Sequence, residues 1–264
     1  MRFKIIFQVK GDQRLLPLSY KYELSSWIYK QIERADSPFA EFLHTQGYIL
    51  NGKRFKLFTF SDIHFRKYEI IGDRVKLLSP EISFVISFFV DKAAESLVMG
   101  LFHQQCFELG DQITQVRLQV KSLKVLPLVI PNGPVRLKTT GPMVVSRQPN
   151  LDIGEKQAQY LSPLDDKFEE VFFQNLLNKY SSALIHNLVS KIDVSSPRKF
   201  LLLREKPKSR LIKIKAHRPD ETKIRGYLFD FELTAPKELI RFGMLSGFGV
   251  ANAMGFGSTR IIHS

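Results

Sequence analysis

The sequence predicts an α+β protein built from two tandem ferredoxin-like (RRM-like, βαββαβ) domains. Three observations carry this prediction. The apolar pattern runs strand, helix, strands, helix, strand, and then does so again. Prolines and glycines cluster between the two cycles, from Pro127 to Pro149. A chain of 264 residues with 44% hydrophobic content has enough apolar side chains for two such cores. The expected division is residues 1–126 and 127–264.

Taken in order, the first strand is marked by Phe3, Ile5, Phe7 and Val9 on one face, with Arg2, Lys4, Gln8 and Lys10 on the other. Only Ile6 breaks this alternation. A helix is predicted over residues 19–35, where Leu24, Ile28 and Ile32 form the buried stripe, and a shorter helical piece over 38–46. Strands follow at 56–61, at 68–78 with a turn at Gly72-Asp73, and at 81–90. A helix then covers 92–104, and a β-rich segment covers 112–126. One short strand, at 135–145, lies within the proline-glycine region. The second cycle reads as a helix over 164–189, strands at 199–204, 211–215 and 224–233, a helix over 236–245, and a last strand at 258–263. Sheets of this kind, with helices on one face, can offer the other face or an edge to single-stranded RNA.

Charge points to a polyanionic partner. The formal net charge is +13. Between Arg198 and Arg225 eleven Lys/Arg stand against three acids, Glu205, Asp220 and Glu221, a local excess of 11 − 3 = +8. A basic tail would be polar throughout, whereas this segment interleaves Leu201, Leu202, Leu203, Leu211, Ile212, Ile214 and Ile224. Lys213 and Lys215 alternate with Ile212 and Ile214, as in a half-buried strand with a basic outer face. Lys223 and Arg225 flank Ile224 in the same manner. These four cations are the candidate nucleic-acid contacts of the second half.

The segment Gly247-Phe248-Gly249-Val250-Ala251-Asn252-Ala253-Met254-Gly255-Phe256-Gly257 links the last helix to the last strand. Gly247, Gly249, Gly255 and Gly257 let such a loop approach a ligand closely and aim backbone N–H groups at phosphate. A tight turn packed by two phenylalanines explains the same pattern structurally. It is not a nucleotide-binding P-loop, because no Gly-Lys-Ser/Thr follows and the loop leads into a strand. A dinucleotide fingerprint fails as well, for want of the third glycine and the βαβ context.

Other classes lose support. Cys106 is the only cysteine, so neither an internal disulfide nor a thiolate metal cluster is available. His64, His103, His186, His217 and His263 show no HxH or HxxxH spacing with one another. Asp165-Asp166 and Glu169-Glu170 open a helix, where acids favour the positive dipole end, and so read as structural and not as a two-metal centre. The first ten residues lack a signal-peptide core, and no apolar run reaches the ~20 residues of a membrane span. The expectation is a soluble, cytoplasmic chain with no cofactor, no metal and no membrane partner.

Several motifs occur together in one order: Leu16-Pro17-Leu18-Ser19-Tyr20, Trp27-Ile28-Tyr29, Phe42-Leu43-His44, Lys56-Leu57-Phe58-Thr59-Phe60-Ser61, and the terminal glycine loop. With them the chain resembles the CRISPR-associated endoribonuclease that cuts CRISPR precursor RNA within its repeats, a family of the RAMP superfamily. The resemblance is strongest in residues 1–61 and 236–264. It implies a metal-independent nuclease whose RNA lies along a basic surface involving both domains, with the glycine loop shaping the site. The implied partner is CRISPR repeat RNA. A CRISPR interference complex and a second copy of the chain stay open as further partners.

The chemistry can also be argued from the residues. RNA carries its own nucleophile, the 2′-hydroxyl beside each phosphate. Attack in line with the departing 5′-oxygen needs a proton acceptor, a proton donor and positive charge at the transition state, and leaves a 2′,3′-cyclic (or 3′-) phosphate and a 5′-hydroxyl. Histidine, with an unperturbed pKa of ~6.5, suits the proton work. His44 is the candidate, near a helix end signalled by Gly47; a histidine there also has a plain structural role against the helix dipole. Tyr29 lies about 100° from the buried stripe, on the flank of Tyr22, where a ring can pack while its hydroxyl faces a cleft. Lys56, expected to open a strand, is the candidate cation, with Lys53 and Arg54 as competitors. Trp27, on the opposite flank, reads as core. The alternative function is a non-catalytic RNA-binding subunit of a CRISPR ribonucleoprotein, using the same fold and loop.

Overall fold

Alternation decides the centre of the first sheet. In the computed structural model, which describes residues 1–147, 158–193, 196–204 and 206–262, the strand Arg2–Lys10 buries Phe3, Ile5, Phe7 and Val9 and turns Gln8 to solvent. It pairs antiparallel with Gln115–Val125 on one side and Glu81–Phe88 on the other, and Phe58–Phe60 lies beyond Glu81–Phe88. Numbered within the repeat, the sheet order is 4-1-3-2, the ferredoxin-like arrangement. Cys106–Gly110 extends the edge beside Gln115–Val125. Arg2 departs from the alternation argument: it is buried, because its guanidinium donates to Thr259 O at 3.0 Å in the second half.

Five helices are present among the described residues: α1 (Lys21–Ala35), α2 (Ser37–Glu41), α3 (Asp91–His103), α4 (Phe168–Ile185) and α5 (Lys237–Ser246). α1 and α3 pack together over the first sheet. Trp27 is core as read, stacked on Phe107 with centroids 4.4 Å apart and edge-on to Phe7 at 5.4 Å. The second sheet repeats the 4-1-3-2 order: Thr259–Ile261, Val135–Thr139, Asp230–Thr234 and Lys199–Leu202. An aromatic cluster lies under it, with Phe172 stacked on Phe248 of the glycine loop at 5.5 Å.

Several boundaries differ from the sequence expectation for local reasons. α4 starts later than residue 164, since the Asp165 carboxylate accepts from Ser162 N at 2.6 Å and holds a turn there. It ends at Ile185, before Asn187, whose φ of 57° takes the chain out of the helix. Of the strands expected at 211–215 and 224–233, residues 211–214 and 224–228 belong to a separate hairpin, Lys208–Ile214 with Thr222–Leu228, and not to the main sheet. Lys215 lies outside the strand at φ 54°, so the expected Lys213/Lys215 alternation stops at Lys213. The strand expected to open at Lys56 begins at Phe58. Lys53–Phe55 instead pairs with Tyr48–Leu50 across the Asn51-Gly52 turn, and Lys56 sits in the link that follows. Leu15–Pro17, too short to show a period, joins the hairpin formed by Tyr68–Ile71 and Arg74–Leu77. Pro149, Glu205 and His263 lie outside the described residues.

The α1–α3 crossing sets the position of everything α1 carries. At Gly100 of α3 a Cβ would collide with the backbone carbonyl of Gln31 in α1. Backbone cannot swing aside as a flexible side chain can, so the helices would have to separate. Gly100→Ala is expected to destabilise the protein by about 1–3 kcal/mol, the range for overpacking a close-packed contact. A denaturant midpoint equal to that of the wild type would show that the two helices can separate at this contact without loss of stability.

Candidate functional site

Between the two halves lies a cleft of about 820 Å³. Its first wall comes from the N-terminal half and brings together Tyr29, His44 and Lys56 with Lys53 and Arg54. α4 forms the facing wall, and residues 249–254 of the glycine loop complete the enclosure.

Each side chain of the first wall has a local cause for its position. Tyr29 projects from the flank of α1, next to the buried Ile28, with its ring edge-on to Phe58 at 5.7 Å. Among the described residues its hydroxyl has no protein partner. Burial pushes its pKa well above the ordinary tyrosine value, so the group is a neutral hydroxyl donor and not a phenolate. His44 sits in a single π-helical turn, Phe42–Gln46, closed by the Gly47 N–H donating to Phe42 O at 2.7 Å. Such a turn widens the helix and often marks functional positions. Leu43 is fully buried and anchors the turn, which leaves the neighbouring imidazole exposed at the cleft. The His44 ring meets Tyr29 edge-on at 5.6 Å.

Lys56 is half-buried, and its ammonium donates to the backbone carbonyl of His44 at 2.9 Å. That bond ties the cation to the π turn and leaves two N–H donors. Burial first, and the neighbouring Arg54 second, lower its pKa to about 8. Lys53 and Arg54 are exposed on the hairpin, and Arg54 donates to Thr45 O at 2.8 Å. Of the three cations, Lys56 is the one held nearest to His44 by a direct bond.

The glycine loop works differently from the expectation of bare N–H groups alone. Gly247, Gly249, Gly255 and Gly257 all have positive φ, between 68° and 88°. At Gly257 the reason is spatial too, since a Cβ there would overlap Phe248 O. The N–H groups of Phe248, Val250, Gly255 and Gly257 donate inside the protein. Among the described residues those of Gly249 and Ala251, both at the cleft, have no protein acceptor. Of the four glycines only Gly249 lines the cleft; the others shape the turn.

The loop carbonyls face inward and are held by side chains from both halves. From α4, the buried Lys179 ammonium donates to Gly247 O, to Gly249 O at 3.0 Å and to Asn252 Oδ1 at 2.9 Å. The Asn252 amide in turn donates to Phe248 O at 2.9 Å and Phe256 O at 3.0 Å. From the N-terminal half, Lys21 donates to Gly255 O at 2.8 Å, Ser25 to Ala253 O at 2.8 Å and Thr59 to Phe256 O at 2.9 Å. Lys21 also pairs with Asp62 at 2.6 Å. Burial pushes the Lys179 pKa down to about 7, while its three acceptors are matched only by the three donors of an ammonium. Sequence reasoning missed Lys179 and Lys21. The available signal was register: Lys179 occupies the apolar stripe of α4 between Leu176 and Ala183, where an unpaired charge is not tolerated.

The basic hairpin lies beside this site. Ile214 and Ile224 pack against Val144 and Phe256, with the loop residues Val250, Ala251 and Met254 around them. Lys213 pairs in register with Lys223 and Leu211 with Arg225, so these three cations share the exposed outer face. Lys215 does not join them: its ammonium bonds the Asp220 carboxylate and stands 5.7 Å from the centroid of the Tyr22 ring.

Replacing Lys179 by Met tests the loop anchor. The change keeps the side-chain length and strands two buried loop carbonyls and the half-buried Asn252 amide oxygen. A loss of about 3 kcal/mol in unfolding free energy is expected, since each unsatisfied buried acceptor costs about 1–3 kcal/mol and some relaxation follows. A variant as stable as the wild type would mean that other donors hold the loop.

Known proteins share this architecture. Residues 15–123 match the family described as CRISPR-associated protein Cas6, N-terminal, and residues 125–261 match CRISPR associated protein Cas6, C-terminal. CRISPR-associated endoribonuclease Cas6 1 of Methanocaldococcus jannaschii is 30% identical over 257 residues, covering 97% of this chain and 91% of the relative. A solved structure characterising a Cas6-related gene from Pyrococcus furiosus superimposes with a TM-score of 0.82 at 27% identity, covering 100% of this chain and 99% of that one. A further structure, described as CRISPR associated protein Cas6, gives 0.73 at 27% identity with the same coverage.

Proposed function

The chain belongs to the Cas6 family of CRISPR-associated proteins, and on that premise we propose that it is a metal-independent endoribonuclease that cuts CRISPR precursor RNA within its repeats. Residues 1–126 and 127–264 act as its two domains in this reading. The observation that carries it is the convergence of Tyr29, His44 and Lys56 on one cleft, with the ring contact and the Lys56–His44 bond linking the three.

The roles follow from the chemistry of each group. The 2′-oxygen attacks the adjacent phosphorus, the bond to the 5′-oxygen breaks, and a 2′,3′-cyclic phosphate and a 5′-hydroxyl remain. One proton leaves the 2′-oxygen and one reaches the 5′-oxygen; the exposed His44 imidazole exchanges a proton with these oxygens. Tyr29, kept as a phenol by burial, donates a hydrogen bond that orients the 2′-oxygen or a phosphate oxygen. The two remaining N–H donors of Lys56 face the charge that builds on the phosphate oxygens. Outside the cleft, Lys213, Lys223 and Arg225 extend a cationic path for the RNA backbone.

The direct test is incubation of the purified protein with its repeat RNA in excess EDTA, beside a substrate carrying a 2′-deoxy nucleotide at the cut site. Cleavage in EDTA that the deoxy substitution blocks, and that His44→Ala abolishes while leaving RNA affinity within a few-fold, is the expected result. Tight binding without any cutting would place the chain among RNA-binding subunits. Equal cutting by wild type and His44→Ala would remove His44 from the mechanism.

Lys56 gives the reaction a pH signature. A lysine with a pKa of about 8 is charged below that value and loses its charge as the pH rises through it. kcat/KM, which reports the free enzyme, is therefore expected to fall above about pH 8. In Lys56→Arg, whose guanidinium stays charged, that alkaline limb should move up by at least a unit. A limb that stays in place would trace the titration to another group.

A further inference from the structure

The two walls of the cleft differ in chemistry. The wall from the N-terminal half carries Lys53, Arg54 and Lys56, and Lys30 adds a fourth cation. Across from it, α4 presents Glu170, Gln174 and Asn178, spaced four residues apart and so aligned along one face of the helix, with Asn175 beside them. This row extends for about 12 Å at 1.5 Å per residue, enough for two or three nucleotides of an extended strand. Arg147, on the strand Val145–Arg147 packed against α4, is the cation that this half adds to the cleft lining outside the helix.

The polar atoms of this row are not absorbed by the fold. Gln174 Nε2 donates to Asn178 Oδ1 at 2.9 Å, which leaves the Gln174 carbonyl and the Asn178 amide available. Asn175 Oδ1 is buried and has no hydrogen-bond partner among the described residues. Glu170 is exposed and, among the described residues, has no cation within ion-pair distance. Its neighbour Glu169 is in contrast a structural group, accepting from Phe200 N at 2.8 Å.

An unpaired carboxylate is out of place beside RNA phosphates, which it repels. It suits base edges, where the amino groups of guanine, adenine and cytosine and the N1–H of guanine donate to it. Uracil offers no amino group, and its single base-edge donor, N3–H, stands between two carbonyls whose lone pairs oppose the carboxylate. We propose that α4 reads the bases next to the scissile phosphate, with Glu170 selecting an amino-bearing base against uracil at one position and Gln174, Asn175 and Asn178 contacting its neighbours. The sugar-phosphate backbone then runs along the Lys53–Lys56 wall, where His44 waits. This inference rests on reading the cleft as an RNA channel, but not on cleavage itself.

The test is a binding selection with the full chain in a His44→Ala background, so that retained RNA is not consumed. The probe is an RNA pool randomised over about 30 nucleotides, and the enriched sequences are compared with and without Glu170→Gln. Because a good base contact is worth about 1–3 kcal/mol, the parent should deplete uracil on the order of tenfold at one position. Glu170→Gln, whose amide can donate to uracil, should relax that position to within about twofold while the rest of the consensus stays. Gln174→Ala and Asn178→Ala should relax adjacent positions only. An unchanged consensus in Glu170→Gln overturns the proposal, as does a parent pool with no uracil-depleted position. A relaxed position in a protein whose wild type cuts no RNA supports base reading and overturns the catalytic reading. A parent that retains no RNA overturns both.

Discussion

The glycine-rich loop closes because the buried carbonyls that its own Asn252 and backbone N–H groups do not reach find donors outside it. A path with four positive-φ glycines is too tight for regular backbone pairing, and an unpaired buried carbonyl costs about 1–3 kcal/mol. Lys179 answers from α4, and Lys21, Ser25 and Thr59 answer from the other half of the molecule. The loop thus belongs to the second sheet by sequence and to both halves by hydrogen bonding. Its position fixes where the halves meet and so fixes the cleft.

Two features of the cleft follow from that closure. The aromatic packing of Phe248 on Phe172 ties the loop to the same helix that carries Lys179, so α4 serves as scaffold on its buried face and as cleft wall on its polar face. On the opposite side, the π turn at His44 depends on the hairpin beneath it. Lys56 and Arg54 both donate to carbonyls of that turn, at 2.9 and 2.8 Å. The cations nearest the candidate chemistry therefore hold the turn together in the free protein, and retain donors to spend on a phosphate.

Charge acts at two ranges. The net +13 draws a polyanion from a distance, and in physiological salt that attraction fades over roughly 8 Å. Inside the cleft the sign is not uniform, because Glu170 opposes the Lys53–Lys56 wall. A protein that needed only to attract RNA would gain nothing from that acid, whereas one that orients a strand uses the contrast to separate phosphates from bases. Lys215 illustrates the same point outside the cleft: basic by composition, it is held by Asp220 and the Tyr22 ring and does not reach the hairpin's outer face.

The strand period of Phe3, Ile5, Phe7 and Val9, the helical stripe of Leu24, Ile28 and Ile32, and the repeated strand-helix order were legible from residue spacing, because burial on one face imposes a period of 2 or 3.6. Short elements such as Leu15–Pro17 and the hairpin around Asn51-Gly52 were not, since three residues carry no period, and this moved Lys56 from a strand start into a link. Tyr29 and His44 could be singled out by flank and helix end, and with Lys56 by resemblance, but not their meeting. By itself the sequence determined two ferredoxin-like sheets, a polyanion-seeking charge and a short set of chemically suited side chains, since these depend on composition and local periodicity. Tertiary structure alone decided that Tyr29, His44 and Lys56 share one cleft, that Lys179 and Lys21 hold the loop, and that α4 faces the cations. Each of these joins residues far apart in the chain, and long-range contact is set by how both halves pack and satisfy their buried polar groups, which no local pattern encodes.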